Sequence, residues 1–185
     1  MIRILQADTS GNVPFPNVQN PTLSKLHGLL TIGGSSLAGV FPDISLILKD
    51  GYESPPGLVD YFQAGLLHVV SSKLKDILQS MNVEVEFFPV LVFYRNERLD
   101  HYFVANPLKR FDAVDRKASD IEIDDELGDA LSVRHLVLDE SRFFGTCLAV
   151  ISEIQRIGVA DEVCTAVAAA GCTGCTFVEP ATVRY

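Results

Sequence analysis

The chain has 185 residues, 48% of them apolar and 9% aromatic, which supports one well-buried core, or two small lobes sharing one, and excludes a disordered tail. Lys and Arg number 15 against 24 Asp and Glu, a net charge of −9. That balance argues against a nucleic-acid-binding surface and against docking on an anionic membrane.

Residues 1–6 alternate weakly and read as a short edge strand. The opening MIRILQADTSGNVPFP lacks the apolar core of a secretory signal. No apolar run reaches the ~18 residues of a membrane helix. The expected compartment is therefore the cytoplasm, where the cysteines stay reduced. Residues 8–21 carry three prolines, Gly11 and three asparagines, a loop composition. Residues 23–32 are moderately apolar and end at Gly33 and Gly34, which break the run. Residues 41–49 (FPDISLILK) read as a strand, and residues 50–57, with Pro55 and Pro56, as a turn or linker. On this reading residues 1–58 form an irregular, strand-bearing segment packed on the same domain as residues 59–185.

Leu74, Ile77, Leu78 and Met81 fall at i, i+3, i+4 and i+7, which predicts a helix over 71–80 with Ser71 or Ser72 as its N-cap. VEVEFFPVLVFY (83–94) predicts a strand with Val83, Val85 and Phe87 on one face and Glu84 and Glu86 on the other. Pro89 is expected at a bulge or bend. The chain turns at Asn96 and Glu97 and returns as a strand over 100–106, with 109–115 as its continuation. Residues 131–138 and 143–152 read as strands joined by a turn at 139–141. Residues 161–170 form a second helix, capped by Asp161 and ended by Gly171 in the left-handed region, before a last strand over 175–178. Laid together, 70–88 and 159–177 match in pattern: Leu74 falls on Val163, Leu78 on Val167 and Phe88 on Phe177. The expected fold is α+β, with antiparallel sheet packed against two or more helices and an internal pseudo-repeat of helix–strand units.

Motifs for chemistry are thin. Cys172 and Cys175 form a C-x-x-C, but it follows a helix and leads into a strand, the reverse of a thioredoxin-like site. Cys147 and Cys164 give no second pair with zinc-ligand spacing, so the four cysteines read as small buried hydrophobes; a metal-stabilised domain is the competing view. GSSLA (34–38) approaches a G-x-S-x-G elbow around Ser36, but His135 and Asp139 follow in the wrong order for an α/β-hydrolase. His27, His68, His101 and His135 show no ligand spacing, and His101 and His135 read as structural. No phosphate loop or dinucleotide fingerprint is present, and no cofactor is expected. Asn106, Asp112, Asp115 and Ser119 form a polar series that could line a cleft, leaving a small-ligand-binding protein or hydrolase-like enzyme as an alternative; Asp and Asn also cap turns locally.

The acid is concentrated in residues 120–129 (DIEIDDELGD), which hold six carboxylates: Asp120, Glu122, Asp124, Asp125, Glu126 and Asp129. Elsewhere 18 acids face 15 bases, leaving −3. An EF-hand is excluded, because Asp125 and Leu131 stand where Gly and Glu are required. The run reads as a solvated, partner-facing patch whose neutralisation should leave folding intact.

YFVANPLKRFDAVDRKAS (102–119) is an aromatic strand ending in Asn, then a D-x-x-D step and a Ser. It resembles the central motif of a family of bacterial immunity-like proteins linked to polymorphic toxin systems, immunity protein family 11. LHVVSSKLKDILQ (67–79) and VADEVCTAVAAAGCTGCTFVEP (159–180) resemble the family's two helix units. The similarity covers residues 60–183, and Cys175 departs from it, standing where an aliphatic residue is expected. The resemblance implies a non-catalytic cytoplasmic binding protein that neutralises a cognate protein toxin, and it carries no catalytic residues. An acidic patch suits such a role, since many toxins that act on nucleic acid are basic.

Overall fold

The computed structural model describes residues 1–8, 34–48, 59–124, 126 and 128–184, with the backbone of Val18–Gln19. The expected apolar stretch 23–32, the linker 50–57, nearly all of the loop 8–21, His27 and Asp125 lie outside the described residues. The elements run β1 (Ile2–Ala7), β2 (Val18–Gln19), β3 (Ser45–Leu48), β4 (Tyr61–Ala64), β5 (Leu67–Ser71), α1 (Ser72–Ser80), β6 (Val85–Tyr94) and β7 (Glu97–Pro107). They continue as β8 (Arg110–Phe111), β9 (Asp120–Ile123), β10 (Ala130–His135), β11 (Leu148–Ile151), β12 (Arg156–Ala160), α2 (Asp161–Ala169) and β13 (Cys175–Val178).

The fold is α+β. One sheet has the order β13-β1-β12-β11-β8 and a second, curled sheet the order β2-β3-β6-β7-β5-β4; β9 and β10 form a separate hairpin. The sheets are mixed, where antiparallel sheet was expected. β3 lies parallel to β6, and β8 parallel to β11. Each of these pairs is joined by a long crossover, through β4, β5 and α1 in one case and through the β9–β10 hairpin in the other, as parallel pairing requires.

β1 is an interior strand and not an edge. It pairs with β12 at Ile2↔Ala160 and with β13 at Leu5↔Phe177. Ile2 and Ile4 face one apolar cluster and Leu5 another. Burial on both faces explains why the sequence barely alternates there.

α1 starts at Ser71, whose Oγ accepts from Leu74 N at 3.2 Å, and buries Leu74 and Leu78. α2 buries Val163 and Val167 and closes in a Schellman motif. Gly171 N donates to Ala168 O and Cys172 N to Val167 O, with Gly171 at φ +61°. Asp161 is the first helical residue and not the cap; Ala160 holds the cap position. The Asp161 carboxylate is instead engaged by Arg3 at 3.3 Å and by the amino terminus at 3.5 Å.

Pro89 sits in register opposite Phe103, and the irregularity falls nearby, where Asp100 and His101 together face Leu91. Leu91 N donates to Ile44 O. Strand alternation then sends the nitrogen of Pro89 toward the same side, before β3 has begun, so no ladder hydrogen bond is lost. The expected strand over 143–152 is shorter, beginning at Leu148. A 3-10 turn over Glu140–Phe143, capped by Asp139, and Gly145 at φ +78° occupy the rest.

Three apolar clusters build the core. One fills the curl of the six-stranded sheet around Leu46, Phe62 and Val104. Another lies beneath β1, β11 and the hairpin. The third joins the two large sheets through α1 and α2. It leaves a cavity of about 20 Å³ beside Tyr61, Leu74, Val163 and Phe177, room for one water and no ligand.

The sheets meet at a seam where Thr173 O accepts from Asp60 N at 2.9 Å and Tyr61 N at 3.2 Å. Gly174 makes this approach possible, because a Cβ there would lie 2.3 Å from Tyr61 O, and its φ is +82°. Gly174→Ala is expected to lower stability by roughly 2–3 kcal/mol in urea unfolding, since neither the backbone nor Tyr61 can give way.

His68 lies beside this seam, its Nδ1 hydrogen-bonded to the Tyr61 hydroxyl at 2.8 Å. Burial, reinforced by the positive charge of Arg156, pushes its pKa down to about 4. The unfolded chain holds the histidine near ~6.5 and so binds more protons as the pH falls. Stability is therefore complete above pH ~6.5 and declines toward pH ~4, by about 2 kcal/mol from this half-buried group. Urea midpoints at pH 7 and 4.5 should show the decline, and His68→Gln should reduce it.

Candidate functional site

The acidic run opens with β9 and leads into β10 of the hairpin. Within D-I-E-I, Ile121 and Ile123 turn inward, with Ile121 against the core, and Asp120 and Glu122 point to solvent. β10 answers with Val133, 1% exposed, and register shifts at Leu131 and Arg134 leave those two side chains outside.

The acids divide by task. Asp124 closes the turn: its N donates to Asp129 O at 2.8 Å, its O accepts from Gly128 N, and its Oδ1 accepts from Glu126 N. Asp129 docks the hairpin on the neighbouring sheet by accepting from Gln155 Nε2 at 2.8 Å. Asp120, Glu122 and Glu126 are exposed. Asp120 lies 3.6 Å from Arg134 across the hairpin, and Ser132 Oγ lies 3.5 Å from Glu122. Two of the expected patch residues thus hold the backbone, and neutralising all six would disturb the hairpin itself.

The polar series that starts in β7 does not converge. Asn106 is buried, and its amide donates to Ser35 O and to Glu86 Oε2, each at 3.0 Å. Asp115 caps its own turn, its Oδ1 accepting from Lys117 N and Ala118 N at 3.0 and 3.1 Å. Ser119 exchanges hydrogen bonds with the backbone of Val137. Asp112 and Asp115 border an open, polar depression with Arg116, Lys117 and Arg142, which Asn106 and Ser119 do not line.

Ser36, the residue of the elbow-like motif, donates to the Glu86 carboxylate. Burial alone would raise the Glu86 pKa, but hydrogen bonds from Ser36, Leu37 N, Asn106 and Ala38 N outweigh it and hold the carboxyl below its ordinary value. This knot pins residues 34–38 to β6. His101 and His135 are exposed on their strands, so neither is a core histidine.

The cysteines border the third core cluster. Burial, with Cys172 and Asp60 nearby, pushes the Cys175 thiol up to about 12. Burial and Asp60 likewise raise Cys172. Such thiols stay protonated at neutral pH. Among the described residues, no group of three or more His, Cys, Asp or Glu is placed to hold a metal ion.

Sequence reasoning missed two buried acids. Asp60 accepts from Ser71 Oγ at 2.7 Å and from Thr173 N at 2.9 Å. Glu153, 3% exposed, accepts from Ala113 N at 3.3 Å and Val114 N at 3.2 Å. A single acid inside the apolar run LAVISEI was the available signal for Glu153.

The model of the immunity protein family (Imm11) matches residues 41–182. The chain belongs to that family. The Imm11 match takes in β3 through β13, and with them both helices and the acidic hairpin. Membership points, in general terms, to toxin neutralisation and so to a toxin as partner. No curated protein matches the chain. Among the described residues no helix is long and apolar enough to cross a membrane.

Proposed function

We propose that this Imm11 chain neutralises a cognate toxin by binding it directly, without catalysis, in the cytoplasm. The exposed acids Asp120, Glu122 and Glu126 steer a basic toxin onto the β9–β10 hairpin, with Asp125 as a further member of the patch. The observation that carries this reading is the division of labour among the acids: Asp124 and Asp129 hold the hairpin in shape, so the exposed three are presented with little ordering cost. The chain works as one domain, with residues 1–58 packed on residues 59–185. The two helix units are a duplication. Support for this comes from β5 and β6 flanking β7 around α1, as β12 and β13 flank β1 around α2.

The test is co-expression with the product of the reading frame beside its gene in a bacterium which that product kills. Survival and a co-purifying complex are expected. Killing in the presence of the folded chain overturns the proposal.

A further inference from the structure

Ile47 and Leu91 are 54% and 40% exposed, although both lie on interior strands of the six-stranded sheet. Their neighbours Leu46, Leu48, Val90 and Val92 are buried inside the curl, so Ile47 and Leu91 point from the outer face. Helix α1 packs with the cluster that includes Val85, Phe87 and Phe103 at one end of that face. The other end carries an apolar strip. Register sets Ser45 beside Leu91 and Ile47 beside Phe93, then Arg98 beside Phe93 and Phe103 beside Pro89. A groove of about 620 Å³ crosses this region, bordered by Asp43, Leu91, Arg98 and His101. The bulge at Asp100 and His101, with His101 at φ +75°, forms its wall opposite Leu91.

The charges on the rim choose the occupant. Arg98 stands on β7 in the row of Ile47 and Phe93. Asp43 stands two residues before Ser45, at the opposite corner. Strand spacing puts these corners about 16 Å apart with Leu91 between them. A second copy laid face to face, about a two-fold axis that runs through Leu91 perpendicular to the line from Asp43 to Arg98, brings Leu91 onto Leu91 and each Arg98 onto Asp43 of the second copy. The Arg98 Nε is paired with Asp100 at 2.6 Å, which fixes the guanidinium and leaves its outer nitrogens for that carboxylate. An apolar centre within a rim whose opposite charges its own two-fold exchanges is complementary to itself. The geometry points to the outer face of β3, β6 and β7 as the contact between two copies of this chain. The strip is small, so the dimer is weak, with a dissociation constant on the order of tens of micromolar.

Sedimentation equilibrium of the full chain over about 1–500 μM tests this. A monomer–dimer equilibrium is expected, and Leu91→Asp should raise the dissociation constant at least ~10-fold with unchanged circular dichroism and melting temperature. Asp43→Arg and Arg98→Asp should each weaken dimerisation, and mixing the two variants should restore it. A chain monomeric at every concentration overturns the inference, as does a Leu91→Asp variant that associates like the parent. Loss of toxin binding on Leu91→Asp where the parent chain is itself monomeric also overturns it, assigning the face to the toxin.

Discussion

Asp60→Ala is expected to lower the unfolding free energy by about 2–3 kcal/mol at pH 7, read by urea denaturation. Asp60 is 8% exposed and ties together segments more than a hundred residues apart. One carboxylate oxygen accepts from Ser71 Oγ at 2.7 Å; the other accepts from Thr173 N at 2.9 Å and lies 3.6 Å from Lys73 Nζ. Ser71 is also the N-cap of α1, accepting from Leu74 N, so Asp60 sets the direction in which the cap hydroxyl points. Removing the carboxylate takes the acceptor from the half-buried Ser71 hydroxyl and from the Thr173 N–H at the seam, and part of their desolvation cost adds to the bonds lost. Asp60→Asn keeps one acceptor but turns an amide toward another donor, and should cost about half as much. A double-mutant cycle with Ser71→Ala should give a coupling above ~1 kcal/mol. A loss under ~1 kcal/mol for Asp60→Ala would show that the seam is held by packing alone.

Neutralising the exposed acids should act on association and not on folding. For Asp120→Asn, Glu122→Gln and Glu126→Gln combined, the association rate with the cognate toxin is expected to fall about tenfold at low salt, with a shallower salt dependence and a nearly unchanged dissociation rate. Among the described residues the one ion pair lost is Asp120 with Arg134, at 3.6 Å and open to solvent, so the melting temperature should hardly move. Asp129→Asn is the contrasting variant. It weakens the bond that docks the hairpin on Gln155 and should loosen residues 120–135 in hydrogen exchange. Association rates of the triple variant equal to those of the parent at low salt would remove the hairpin from the interface.

The hairpin shows how far local pattern reads and where it stops. D-I-E-I alternates as a strand with one buried face, but six carboxylates in ten residues read as one solvated patch. Alternation was the better guide, because Ile121 packs against a core the charges never enter. Separating Asp124 and Asp129 from their exposed neighbours required the turn hydrogen bonds and Gln155, which lies outside the run. The cleft expected from Asn106, Asp112, Asp115 and Ser119 rested on nearness in sequence. Strand direction sends Asn106 to Glu86 while Asp115 closes its own turn.

Features that depend on neighbours within one helical turn were legible from residue order: the stripe and Ser71 cap of α1, the Gly171 end of α2, the faces of β6, and the place where acid gathers. The family resemblance was legible for the same reason, since it rests on contiguous motifs. The interior position of β1, the mixed sheets and the Asp60–Thr173 seam were not. They depend on residues such as Leu5 and Phe177, or Asp60 and Thr173, meeting across most of the chain. Local propensity does not encode such pairings; burial of a shared core selects them, and with it which carboxylates face solvent.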